Sequence, residues 1–518
     1  MLFALAGLSL ILVFSACDDS SEPAPRPNGN NSSYPLRAES DDNVFGQVIL
    51  AEYSDGSVNF IIELNNTSSG NTHPAYLYFD NVLEGNDVRL TLEPVNGATG
   101  GSQLRTSMFD DGTPFTFAQL LTLDGHVKVH ASENDLGTVL AAGDIGGNAF
   151  TGNEYSYEIK ESANSGASGT VTFRERFNSE TLVEIDATNL PSDPHPAHIH
   201  VNTAVEGGEI AISLSDVRDN ISLTNVEALD ASVGGLPVTF DDLLDFDGHL
   251  NIHDPADLQQ IMAQADIGIN ELSGRETSYN LEERNASAVS GTITFYERRS
   301  GESLARIELE NTTPGLMHPA HIHIGTAAQD EAGLKAVVMN PVNGDTGIGE
   351  TNIARLDPAV GGTPLTFEDL LAFDGYVNIH TTMSDLTLLA QTDIGQNALT
   401  GNSEVYALDN IPGVSGTATV YERINGNALL VINIIPVTGG HPAHIHGGSV
   451  AEGPGPIEVT LSPVNAYGFS RTAVESDDSG NPMDYAGLVE YNGYINVHAS
   501  ESDLATIIAQ GDIGSNVN

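Results

Sequence analysis

The sequence predicts an all-β protein of four tandem Greek-key antiparallel domains, each a β-sandwich or barrel with short helical insertions. Three observations predict it. One set of motifs recurs four times along the 518 residues, apolar and polar residues alternate with period two inside each copy, and Gly, Asn, Asp and Pro separate the alternating runs.

The repeat is read from its landmarks. His-Pro-Ala-His-Ile-His begins at His195, His318 and His441, at intervals of 123 residues, and a decayed copy, His73-Pro74-Ala75-Tyr76-Leu77-Tyr78, lies 122 residues earlier. A second landmark, Gly-(His/Tyr)-x-x-x-His, ends at His130, His253, His380 and His498. A third, Asp-Ile-Gly, follows at Asp144, Asp266, Asp393 and Asp512. The copies open near Gly46, Gly169, Gly291 and Gly416. Such a period is too long for a solenoid and long enough to own a core, so each copy is a duplicated domain. The expected domains are 34–150, 153–271, 275–398 and 402–518.

Within the second copy, Thr170–Phe173, Leu182–Ile185, Ile210–Leu214 and Leu250–His253 alternate as half-buried strands do. Short runs of this kind between turn residues build antiparallel sandwiches and barrels. A helix is expected after Thr116, Thr239 and Thr366, each followed three positions on by Gln119, Asp242 or Asp369 in a capping arrangement. A second helix is expected between the last His and Asp-Ile-Gly, as over Ser502–Ala509.

Composition limits the partners. The 18 Lys and Arg stand against 71 Asp and Glu, a net charge of −53, and the lysines are only Lys128, Lys160 and Lys335. No basic stripe can neutralise phosphates, which excludes nucleic acid, and an anionic lipid face repels such a surface. A cationic ligand or an extracellular protein remains as partner class. The single Cys rules out an internal disulfide framework or a cysteine-based zinc site.

That cysteine has a telling position. Leu2–Ala16 is an apolar run of signal-peptide length, too short to span a bilayer, and it ends Ser15-Ala16-Cys17. The junction resembles a bacterial lipobox, which implies lipidation of Cys17 and a membrane contact through that lipid alone. No Lys or Arg precedes the run, a departure from the usual signal pattern. Residues 18–33, rich in Asp, Ser, Pro and Asn, read as a flexible tether. Asp18-Asp19 after Cys17 resembles the acidic signal that sends some lipoproteins to the outer face, so an outer-membrane lipoprotein at the cell surface, or otherwise in the periplasm, is expected.

All 16 histidines fall inside the two His landmarks. On a strand, residues i and i+2 share a face, so His198 and His200 point one way and Ile199 the other, and Asn251 and His253 likewise flank Ile252. If the two strands are neighbours, three imidazoles converge. Three neutral imidazoles make an open site for copper or zinc. The expected metal ligands are His198, His200 and His253, then His321, His323 and His380, then His444, His446 and His498. His195, His318 and His441 stand next to them as further ligands or as orienting partners. Tyr76 and Tyr78 remove the site from the first copy, leaving His73, His126 and His130. The recurring Asp144 and Asp266 are expected to make turn hydrogen bonds rather than acid/base pairs.

These residues resemble the CHRD (chordin-type) domain, with its His-x-x-His-x-His element, its Tyr-Val-Asn-Val-His strand, here Tyr376-Val377-Asn378-Ile379-His380, and its Gly-Glu-Ile-Arg-Gly segment. The resemblance runs through all four copies. Gly146, Gly268, Gly395 and Gly514 stand where that family has Arg, so no role of that Arg carries over. A more distant likeness is to Cu,Zn superoxide dismutase, a Greek-key barrel. Its His-Gly-Phe-His-Val-His parallels His195–His200, and its late copper-binding His, followed by Ala-Asp-Asp-Leu, parallels His130 before Asn134-Asp135-Leu136. By that likeness His198, His200 and His253 match three copper ligands, while the bridging imidazole, the other zinc-site histidines and the disulfide have no counterpart. A chain at −53 would also repel anionic superoxide.

The function expected from these features is non-enzymatic: an exported, lipid-anchored array that binds copper or zinc and serves in surface binding or adhesion. The alternatives are a copper-dependent oxidoreductase using the open three-histidine site, and a spacer. No nucleophilic Cys, P-loop or dinucleotide fingerprint supports another chemistry.

Overall fold

The computed structural model describes residues 24–39, 44–162, 164–191, 194–328 and 333–517. The signal-like run and Cys17 lie outside the described residues. The chain is all-β with short helices, as the alternation predicts, and forms two compact units. The first comprises Met1–Ala197, Ile212–Leu243 and His253–Gln260; the second comprises His198–Ala211, Leu244–Ile252 and Ile261–Asn518.

In the first unit, the first repeat is one ten-stranded antiparallel sheet. It encloses a core that includes Val48, Leu50, Phe60, Ile62, Leu77, Val127 and Ile145. The second repeat contributes Phe150–Glu161, Ser168–Arg176, Thr181–Thr188 and Ile221–Val226, paired in that order.

In the second unit, the third repeat is a closed eight-stranded barrel. Around it run Leu272–Glu283, Ser290–Arg298, Ser303–Glu310, Ile348–Ile353, Lys335–Asn343, Met317–Ile324, Asp374–Thr382 and Asp385–Gly395. Closure leaves no exposed sheet edge. The fourth repeat has the same strands in two four-stranded sheets, Leu399–Ala407, Ser415–Arg423, Ala428–Ile435 and Phe469–Val474 against Ile457–Val464, His441–Gly447, Asn492–Ser500 and Asp503–Gly514. Its core includes Val420, Leu430, Ile432, Ile445, Ile495 and Ile513.

The expected capped helices are present. Thr116 and Thr366 close capping boxes with Gln119 and Asp369 on Phe117–Leu120 and Phe367–Leu371. Thr239 and Asp242 exchange the same bonds at Phe240–Leu244.

Two expectations are corrected. The second helix is absent: Ser502–Ala509 falls mostly in the strand Asp503–Gly514. Its apolar spacing at Leu504, Ile507 and Ile508 suits a helix, but the adjacent strand Asn492–Ser500 is buried on both faces and needs a backbone partner on that side. The pairing Val497↔Ala509 and Ile495↔Gly511 supplies it, and the β-branched Thr506, Ile507 and Ile508 suit the strand. The expected tether 18–33 does not extend past Arg26, because a strand starts at Pro27 and runs to Ala38. There Asn28 and Asn30 both donate to the Glu52 carboxylate, at 2.6 and 2.8 Å, and Tyr34 and Leu36 enter the core.

Candidate metal centres

The third repeat shows how the fold builds a site. Strand Met317–Ile324 lies beside Asp374–Thr382 with His321 opposite Asn378 and His323 opposite Tyr376. Ile322 and Ile379 enter the barrel core, which puts His321, His323 and His380 on the other face. Register shifts fall at the ligand positions, between Ile322 and His323 and on both sides of His380. Such bulges re-aim side chains that a regular ladder would hold parallel. The three rings are not on an open surface, for all are buried at 3–4% exposure.

Backbone carbonyls decide which nitrogens face the centre. His323 Nδ1–H donates to Gly333 O at 2.9 Å and His380 Nδ1–H to Leu386 O at 2.8 Å, so each keeps its lone pair on Nε2. Among the described residues, His321 Nδ1 is buried with no hydrogen-bond partner. Its ring centroid lies 5.8 Å from His323 and 5.4 Å from His380.

The fourth repeat repeats this. His446 Nδ1–H donates to Gly455 O at 3.0 Å and His498 Nδ1–H to Leu504 O at 2.7 Å. Among the described residues, His444 Nδ1, His446 Nε2 and His498 Nε2 are buried with no hydrogen-bond partner. In each of these repeats the three candidate ligand atoms lie within 4.8 Å of one another. A tetrahedral ion at about 2.0–2.1 Å asks each ring to move inward by less than about 1 Å. In the fourth repeat, buried imidazole nitrogens that lie this close together and have no hydrogen-bond partner among the described residues are what a cation would satisfy, so the residues fit a metal.

Behind the ligands stands a brace. Tyr376 lies flat on His323, centroids 5.0 Å apart, and Tyr494 on His446 at 5.1 Å, with planes 15° apart in both. The Tyr376 hydroxyl accepts from Gly333 N at 3.2 Å and the Tyr494 hydroxyl from Gly455 N at 2.9 Å. The same glycine thus holds the tyrosine by its N–H and the histidine by its C=O. A Cβ at Gly455 would stand 1.8 Å from Gly447 O, and one at Gly333 2.6 Å from Ile324 O.

In the second repeat the set divides between the two units. His198 and His200 lie in the second unit with centroids 5.8 Å apart, and His200 Nδ1–H donates to Gly208 O at 3.0 Å and stacks on His249. His253, in the first unit, donates Nδ1–H to Leu258 O at 2.9 Å. These are the bonds of their counterparts in the third and fourth repeats.

His195, His318 and His441 do not join the ligand groups. Their Nδ1–H groups donate to His253 O at 3.0 Å, Thr381 O at 2.9 Å and Ala499 O at 3.0 Å, which ties down the backbone at or just after the third ligand. In the first repeat the Tyr78 hydroxyl donates to His130 Nε2 at 2.9 Å, so a phenol takes the lone pair that faces the centre elsewhere. His73 and His126 donate to Ala131 O and Asp80 O.

Burial favours the neutral form of His321, His444 and His498. Burial pulls His321 down to about 4, helped by Lys335, His380 and His323, and burial likewise lowers His444 and His498. Neutral imidazole is the ligating form.

The Asp-Ile-Gly carboxylates do more than the turn bonding expected. They accept backbone N–H groups far along the chain, Asp144 from Val82 at 2.8 Å and Asp266 from Ala204 at 2.8 Å. Each also meets a buried arginine of the following repeat, Arg176 on Asp144 at 2.7 Å, Arg298 on Asp266 at 2.8 Å and Arg423 on Asp393 at 3.0 Å. The sequence reading missed these arginines and the bracing glycines. Their signal was present as a recurring Glu-Arg at the end of the second strand, Glu175-Arg176, Glu297-Arg298 and Glu422-Arg423.

The fold and site define an all-β repeat protein with clusters of three histidines that could hold a metal ion. No family model matches the chain, and no curated protein matches it. Among solved structures it is similar to the BSP domain of a biofilm-associated protein, at 9% identity and a TM-score of 0.17, over 96% of this chain and 99% of that one. So slight a likeness carries no weight for fold or function.

Proposed function

We propose that the chain is an exported array of CHRD-like repeats, tethered by lipid on Cys17, whose second, third and fourth copies each hold one copper or zinc ion through three imidazoles. The array acts in binding or adhesion at the cell surface, with the ions as structural clips or as bridges to an extracellular ligand. The observation that carries this reading is the set of buried imidazole nitrogens turned toward one another in the fourth repeat, which have no hydrogen-bond partner among the described residues. Three protein nitrogens leave one tetrahedral position for water or a ligand atom. The lipid tether rests on Ser15-Ala16-Cys17 and the acidic residues after it.

The test is metal analysis of the full mature chain after dialysis against a weak chelator. Three ions per chain at saturation are expected, and His446→Ala should remove one. Because a chain at −53 adsorbs cations loosely, retention that survives His446→Ala unchanged would assign the metal to surface carboxylates and defeat the reading. Oxygen or superoxide turnover lost in His446→Ala would favour the oxidoreductase instead.

A further inference from the structure

We propose that Lys335 makes the third repeat's site the weak one of the three, so that the chain loads metal in two steps. The inference rests on the metal reading of the histidine groups. Lys335 Nζ lies 3.2 Å from His321 Nε2. An ammonium can only donate, so Nε2 is the acceptor and the imidazole proton sits on Nδ1. Either nitrogen is then closed to a metal. Ligation through Nε2 meets the ammonium itself, and ligation through Nδ1 needs the proton moved to Nε2, where it would face the ammonium donor to donor. The ammonium must leave in both cases, and it stays close enough to repel a divalent cation.

The equivalent positions in the second and fourth repeats hold isoleucine. Lys335 is the cross-strand partner of His323, and Ile457 is the cross-strand partner of His446. In the second repeat, Ile210 follows the bracing Gly208 by two residues, as Lys335 follows Gly333 and Ile457 follows Gly455. Lysine placement is itself selective. Of the three lysines, a second, Lys128, lies in the first repeat, where its Nζ sits 5.3 Å from the Tyr78 ring centroid and donates to Gly85 O at 3.2 Å. One ammonium thus stands where tyrosines have replaced the ligands, and another where the ligands remain.

Titration of the full mature chain with Zn(II) against a chromophoric chelator tests this. The expected result is two tight sites and a third at least about tenfold weaker, the scale set by moving an ammonium from a few ångströms of a divalent ion. Lys335→Ile should bring all three to one affinity with an unchanged melting curve in chelator, and His323→Ala should delete the weak class only. Three equal sites in the parent chain, or loss of a tight site in His323→Ala, would overturn the role of Lys335 and leave the metal reading standing. No zinc bound at any histidine site would overturn both.

Discussion

The guanidinium of Arg423, in the fourth repeat, donates to the carboxylate of Asp393, in the third, at 3.0 Å, with both side chains buried. The second oxygen of Asp393 accepts Ala327 N at 2.7 Å, on the turn that follows the His323 strand. One carboxylate therefore joins the start of one repeat to the loop next to the previous repeat's site. Burial pushes Asp393 up to about 6 while Arg423 pulls it down, so removal of the arginine leaves a desolvated carboxyl with no counter-charge.

Arg423→Met should therefore destabilise by about 3–5 kcal/mol, the usual penalty for orphaning a buried charge, and should loosen the third repeat as well as the fourth. Hydrogen exchange resolved by segment checks this through the protection of Asp374–Thr382 in one repeat and Ser415–Arg423 in the other. Adding Asp393→Asn should recover part of the loss, because the neutral amide removes the uncompensated charge while its carbonyl oxygen still accepts from Ala327 N. Loss confined to the fourth repeat would show that the pair is a local staple only.

The bracing glycine predicts a sharper effect than its size suggests. Gly455→Ala would place a methyl 1.8 Å from Gly447 O, so the loop must shift and release the carbonyl that holds His446. Zinc affinity of the fourth site should fall by about 10–100-fold, the range for loss of a partner that orients a ligand. Tyr494→Leu removes both the flat stack and the hydroxyl on Gly455 N, and should cost affinity in the same direction with less disturbance of the fold. Isothermal titration of both variants is the check, and an unchanged fourth site in both would dismiss the brace.

The first repeat offers the converse experiment. Its scaffold is intact, with His130 donating Nδ1–H to Leu136 O at 2.8 Å as His380 and His498 donate to Leu386 and Leu504. What it lacks is two imidazoles, and it has Lys128 where the other copies have Asn251, Asn378 and Asn496. Tyr76→His with Tyr78→His and Lys128→Asn should create a fourth site, raising bound zinc at saturation by one ion per chain. Omitting the lysine change should give a weaker gain. No gain in the triple variant would mean that the histidine pattern alone does not make the site.

Why the site was legible and its regulation was not follows from the same residues. Parity along a strand is a local property, so His-x-His and the flanking Ile199, Ile322 and Ile445 fixed the ligand face before any fold was known. The pairing of the two His strands came from repetition in phase. The bulges at His323 and His380, the Lys335 bond to His321 and the Arg423–Asp393 pair depend on cross-strand register or on the next repeat, which no local pattern encodes. The misread helix has the same cause. Leu504, Ile507 and Ile508 fit either period, and the choice is made by pairing with the edge of Asn492–Ser500 that faces away from His441–Gly447.

The last prediction concerns pH. His126 is fully buried in the first repeat, where it stacks on Tyr78 with planes 8° apart and donates to Asp80 O at 2.8 Å. Burial, with Lys128 adding to it, holds its pKa at about 4, below the ordinary 6.5. The unfolded chain therefore takes up a proton below about pH 6.5 that the folded repeat refuses until about pH 4. His126 contributes its full stability above pH 6.5 and loses it progressively as the pH falls to 4, up to about 3 kcal/mol. His126→Tyr substitutes the residue that stands at this position in the third and fourth repeats, Tyr376 and Tyr494, and has no proton to take up in this range. Exchange protection of Asp124–Ser132, corrected for intrinsic exchange rates, should fall between pH 7 and pH 4.5 in the parent and fall less in the variant. Equal slopes in the two proteins would mean that some other group carries the acid sensitivity of this repeat.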